Sequence, residues 1–127
     1  MNAATIAKYA SLLAVGLWSA KAIAIALAGG LGRSPVEDTL FFAGLVSCIV
    51  AVGALALAHT AGRSLALRMG AVVAGIVAAS ALALALGTVV EMVAASDHWV
   101  WSELNLWVLA VAVFVLAWLP IRRVARA

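Results

Sequence analysis

Charge is what this chain has least of. Only 10% of its 127 residues are Asp, Glu, Lys or Arg, against about 25% in soluble domains. So few charges cannot coat a water-exposed globule, and a soluble fold is excluded. A single cysteine, Cys48, excludes a disulfide scaffold and dithiol redox chemistry. The two prolines, Pro35 and Pro120, leave long stretches without a helix breaker. The chain has no glycine-rich phosphate loop, no zinc-ligand spacing and no serine–histidine–acid set. Extended polar loops are missing as well, so an active site would have to lie inside the apolar segments or at their rims.

What is abundant is hydrophobic: 68% of the residues, with a mean hydropathy of +1.22. This composition predicts an all-α integral membrane protein, one domain over residues 1–127. A helix needs about 20 apolar residues to cross the hydrocarbon layer. Four runs qualify, from about Tyr9 to Leu31, Val36 to Ala58, Leu67 to Val90, and Ser102 to Leu119, the last entered through a turn beginning near Trp99. The runs are continuous rather than alternating, which favours helices over a β-barrel. A four-transmembrane-helix bundle is the expected fold.

The intervening segments carry helix-end residues. Gly29, Gly30 and Gly32 suit the left-handed turn that ends a helix. Ser34-Pro35-Val36-Glu37 matches a capping box with proline at the first helical position. That motif assigns Ser34 and Glu37 as caps of the second helix. Gly62 and Ser64 end the second helix and begin the third, Ser96 or Asp97 caps the fourth, and Pro120 closes it.

Basic residues set the expected orientation. Lys8, Arg63, Arg68, Arg122, Arg123 and Arg126 fall at the N-terminus, the second loop and the C-terminus, whereas Arg33 stands alone on the other side. This bias predicts cytoplasmic termini in a plasma (inner) membrane, and the composition suggests a high-GC bacterium. The basic rim (pI about 9.8) reads as orientation signals and anionic-lipid contacts, and no nucleic-acid partner is expected. Trp99, Trp101 and Trp107 fit the outer interface, Tyr9 and Trp118 the inner one. Lys8 followed by Tyr9–Ala20 and Ala20-Lys21-Ala22 imitates a signal peptide, but the apolar run continues beyond Lys21, which favours a retained span.

Lipid tails are as apolar as leucine, so close packing of small residues must hold helix to helix. Ala71, Gly75, Ala79, Ala83 and Gly87 recur every four residues and form one stripe on the third helix, with Gly70, Ala74 and Ala78 beside it. Two such stripes place the third helix at the centre of the bundle. Gly16 and Ala20, and Gly44, Ser47 and Ala51, offer shallow matching surfaces.

Lys21 is the polar residue that most needs an explanation. On a helix from Tyr9 to Leu31 it sits near mid-membrane, about 15 Å from the outer end. A lysine there costs about 2.5–3.5 kcal/mol on the insertion scale. A carboxylate from another helix is the economical partner, with Glu91 favoured, Glu103 second and Asp38 third; Thr39, Thr88 and Asn105 lie at similar levels. The resulting cluster of Lys21, Glu91, Glu103, Asp38 and Asn105 is either a structural ion pair or an outward-facing polar pocket. His59 and His98 fall at opposite membrane faces and cannot share a metal. No metal or cofactor is expected.

Pro35-Val36-Glu37-Asp38-Thr39-Leu40-Phe41-Phe42 resembles the Pro-x-Glu-Glu/Asp…Phe-Phe stretch of the small membrane lycopene cyclases that act as paired subunits. The resemblance covers eight residues and implies carotenoid cyclisation with Glu37 and Asp38 as acids. Those proteins usually have three spans, and the upstream aromatic and acidic pattern is not matched here. The leading expectation is a non-enzymatic accessory or scaffold subunit that meets the bilayer, itself or another membrane protein. Two further readings are a small oligomeric transporter or channel, and an intramembrane enzyme acting on a lipid or isoprenoid.

Overall fold

The computed structural model describes residues 2–94 and 98–120. Ser96 and Asp97, expected as caps, and Arg122, Arg123 and Arg126 of the basic rim lie outside the described residues. The described chain is all-helical: α1 is Ala3–Leu27, α2 is Glu37–His59, α3 is Leu65–Val93 and α4 is Trp99–Trp118. All four helices are long and apolar enough to cross a membrane.

α1 starts and stops earlier than its apolar run suggests. Asn2 is the N-cap, its Oδ1 accepting the Thr5 N–H at 2.8 Å. This cap adds a polar first turn and a half to the helix. At the other end the Gly30 N–H donates to the Ile25 carbonyl at 3.0 Å and the Gly29 N–H to the Ala26 carbonyl at 3.2 Å. With Gly29 at φ +87°, these bonds satisfy carbonyls that would otherwise be orphaned. The glycines therefore end α1 four residues before Leu31.

The expected capping box is not formed. α2 begins at Glu37 with Val36 as its N-cap, and no side chain caps it. Ser34 Oγ instead accepts the Val36 N–H at 3.4 Å, and the Glu37 N–H donates to the Ser34 carbonyl at 3.5 Å. Residues 34–37 thus close a turn before the helix rather than its first turn. Ser64 caps α3 by accepting the Leu67 N–H at 3.3 Å. For α4 the N-cap is His98, whose Nδ1 accepts the Val100 N–H at 3.3 Å.

α1 packs against α2 and α4, and α3 packs against α2 and α4 with its backbone remote from that of α1. The core is built from Ala14 and Trp18 of α1, Cys48 and Ala51 of α2, and Leu109, Ala110 and Val113 of α4. A second cluster joins Ala7, Ala54 and Ala117. No residue of α3 is buried, which corrects the expectation that α3 is the centre. Its stripe of Ala71, Gly75, Ala79, Ala83 and Gly87 is half-buried and forms the inward face. Here a Cβ added at Gly75 would stand 3.3 Å from Val52 Cγ1, and one at Gly87 3.5 Å from Asn105 Nδ2. The neighbouring stripe of Gly70, Ala74 and Ala78 is exposed. Small residues let α3 come close on one side only, and the core is made where Trp18 brings bulk.

Trp18 is the anchor of that core. Its indole is 2% exposed and lies over Gly44, where any added Cβ would overlap the ring. Trp18 Nε1 donates to the Phe41 carbonyl at 3.2 Å, so the one polar atom of the ring is satisfied. Gly44, Ser47 and Ala51 are all buried along this seam, whereas Gly16 is exposed.

Candidate functional site

The helix ends decide how deep the polar residues lie. Lys21 is six residues before Leu27, the last residue of α1, so it stands about 9 Å inside that end rather than 15 Å. Glu103 is four residues after Trp99, the first residue of α4, or about 6 Å inside. α1 and α4 run in opposite directions, which brings the two side chains to similar levels.

Lys21 Nζ donates to Glu103 Oε1 at 2.7 Å and to Oε2 at 2.8 Å. The side chains are 7% and 12% exposed. Nζ also lies 5.4 Å from the centre of the Phe41 ring, within the range of a cation–π contact. A full charge is thus neutralised inside the bundle by a two-point charge-assisted contact. One turn deeper on the same α1–α4 seam, Trp107 Nε1 donates to Ser19 Oγ at 3.0 Å.

The other cluster members are not brought to Lys21. Glu91, ranked first among its prospective partners, is exposed near the end of α3, whose backbone does not approach that of α1. The shared level was legible, but the neighbour relation was not. Asp38 is exposed in the first turn of α2 and forms no ion pair among the described residues. Asn105 is half-buried and faces Gly87. Glu91 and Asn105 instead line a cavity of about 410 Å³ between α3 and α4, together with Val90, His98, Trp101 and Ser102.

Glu37 has a different task from the one expected. Its carboxylate accepts the Gly32 N–H at 2.8 Å, reaching back across the turn to the glycine segment. Gly32 sits at φ +79°. The contact ties the end of α1 to the start of α2, and a carboxylate at a helix N-terminus also meets the favourable end of its dipole. Asp38, its neighbour in the acidic dipeptide, is exposed in the first turn of α2.

At the opposite end of the bundle lies a larger cavity, about 790 Å³, between Asn2, Ala3, Ala4 and Lys8 of the N-terminal segment, Leu57, Ala58 and Ala61, Arg68, and residues 117–120. Residue 2 and residue 120 are therefore at the same end, beside the α2–α3 loop. His59 and His98 belong to opposite ends, and among the described residues no three His, Cys, Asp or Glu side chains gather as a metal-binding group. Trp18 and the basic cavity are the two features that residue spacing did not expose. A buried tryptophan is indistinguishable in sequence from one at the interface, and the cavity is assembled from segments remote in the chain.

Comparison with protein-family models, with curated proteins and with solved structures returned no match. The fold and site define the chain at the level of a four-helix bundle whose helices can span a membrane.

Proposed function

We propose that this chain is a non-enzymatic accessory or scaffold subunit of the plasma (inner) membrane, multi-pass with both termini cytoplasmic, that assembles with itself or with a larger membrane complex. The observation that carries this reading is the closed contact of Lys21 with Glu103. Intramembrane charges either pair with one another or line a transport path. Here the deepest lysine is engaged by both oxygens of one carboxylate, in a contact that needs no ligand. The apolar outer face of α3 adds to the argument, since Val73, Val77 and Leu84 are more than half exposed there. Reading the basic rim as cytoplasmic gives the orientation.

The test is extraction in a mild detergent followed by affinity purification and mass measurement. A defined oligomer or a stoichiometric membrane partner is expected. A purely monomeric protein that drives solute flux in liposomes overturns the reading.

A second reading, a small oligomeric transporter or channel, is favoured by the 410 Å³ cavity between α3 and α4. Glu91 there has no ion-pair partner among the described residues. In that case flux in liposomes falls with Glu91→Gln and survives in the Lys21→Met, Glu103→Leu double variant.

A further inference from the structure

The cavity at the N-terminal end of the bundle is electrically one-sided. Lys8 and Arg68 line it, and no acidic side chain does. The four described acids outside it, Glu37, Asp38, Glu91 and Glu103, belong to the far ends of α2, α3 and α4. Neither Lys8 nor Arg68 forms a salt bridge among the described residues. Lys8 Nζ lies 5.4 Å from the centre of the Trp118 ring, within the range of a cation–π contact.

Several donors at this end of the bundle are unmet or weakly met. Arg68 Nε is buried and has no hydrogen-bond partner. Among the described residues the only acceptor met by that guanidinium is the Leu57 carbonyl, at a long 3.4 Å from Nη2. Ala3 and Ala4, which line the same cavity, open α1, and their N–H groups have no acceptor among the described residues; the Asn2 side chain and carbonyl serve Thr5 and Ile6 instead. The free N–H groups and positive dipole end of a helix form a site for anions, and an arginine presents a planar fork suited to phosphate oxygens. Apart from Asn2 the remaining lining is largely apolar, including Leu57, Ala58, Ala117 and Leu119.

We propose that this cavity binds the phosphate of an anionic phospholipid, with Lys8, Arg68 and the first turn of α1 holding the headgroup and the leucine and alanine wall receiving the upper acyl chain. Free phosphate would satisfy the donors and leave the apolar wall empty, whereas a lipid satisfies both. The proposal shares Lys8 and Arg68 with the orientation reading but uses neither the Lys21–Glu103 contact, nor the outer face of α3, nor the α3–α4 cavity, so it stands or falls apart from the accessory and transport readings.

The test uses the purified full chain in detergent, offered equal amounts of phosphatidylglycerol and phosphatidylcholine with identical chains, and reads the lipid retained by native mass spectrometry. Preferential retention of phosphatidylglycerol is expected. Arg68→Gln and Lys8→Gln each lower the preference about fivefold, the amount expected of one basic residue near an anionic headgroup. Arg63→Gln, at an exposed residue of the α2–α3 loop that does not line the cavity, leaves it unchanged. Three results overturn the proposal: equal retention of the two lipids by the unmodified protein, an Arg63→Gln loss as large as that of Arg68→Gln, or displacement of the bound lipid by millimolar inorganic phosphate. The comparison of lipids on the unmodified protein decides the matter even if a variant fails to fold.

Discussion

Lys21 and Glu103 reach each other from helices that run in opposite directions, 82 residues apart in the chain, with both carboxylate oxygens within 2.8 Å of one ammonium. The pair fixes the axial register of α4 against α1, because a shift of one turn would part the charges by about 5 Å. Lys8 and Trp118 meet at the other end of the same two helices, so the seam is held at both ends.

A buried pair of this kind costs more to break than it contributes. Lys21→Met leaves the Glu103 carboxylate buried and unpaired, and a loss of about 3–5 kcal/mol is expected. The double variant Lys21→Met, Glu103→Leu replaces both charges by apolar groups of similar size and should recover most of that loss. Equilibrium unfolding in mixed detergent micelles measures both. If the double variant is as unstable as the single one, the pair is not acting as an isolated electrostatic contact.

The Trp18–Gly44 contact gives a sharper packing test. Gly44→Ala places a methyl group into the indole, and overpacking of this kind costs about 1–3 kcal/mol. Trp18→Leu removes the ring and leaves a cavity, itself destabilising by more than that. Combined, the two changes should be clearly less than additive, since the smaller side chain makes room for the methyl group. A double-mutant cycle by thermal unfolding reads the coupling. Strict additivity would mean that α1 and α2 do not close on each other through this pair.

The number of helices and most of their limits were legible because apolar run length and glycine turns are local properties. The depth of Lys21 was misjudged because the run from Tyr9 to Leu31 does not reveal that Asn2 begins the helix and Gly29 ends it. Its need for a carboxylate followed from the cost of a charge in lipid, but the choice between Glu91 and Glu103 depends on which helices are neighbours. That arrangement is a long-range property. The small-residue stripe misled in a related way: it shows where a helix can approach another, not how many helices surround it. α3 has its stripe on one side, and the tight seam is elsewhere, between Trp18 and Gly44.

Glu37 supplies a local prediction. Its carboxylate accepts the Gly32 N–H at 2.8 Å, and hydrogen bonds to charged groups contribute about 1.5–3 kcal/mol. Glu37→Ala should therefore destabilise the bundle within that range, with the α1–α2 connection becoming the first site cut in limited proteolysis. Asp38→Ala, one position along and exposed, should change stability by less than about 0.5 kcal/mol. Equal effects of the two changes would show that the general charge of the turn matters and the specific bond to Gly32 does not.

The outward face of α3 carries the test of assembly. Val77 is 62% exposed on α3 whereas Val113 is 6% exposed on α4. A photoreactive benzophenone side chain placed at position 77, which attacks C–H bonds in apolar surroundings, should crosslink to a neighbouring protein on irradiation in the native membrane if α3 docks onto a partner. Irradiation after detergent extraction that separates the complex is expected to give no such crosslink. The small exposed residues beside it, Ala74 and Ala78, permit the close helix approach that such docking requires. Crosslinking to lipid alone in the native membrane would leave α3 facing lipid and remove the accessory-subunit argument from this surface.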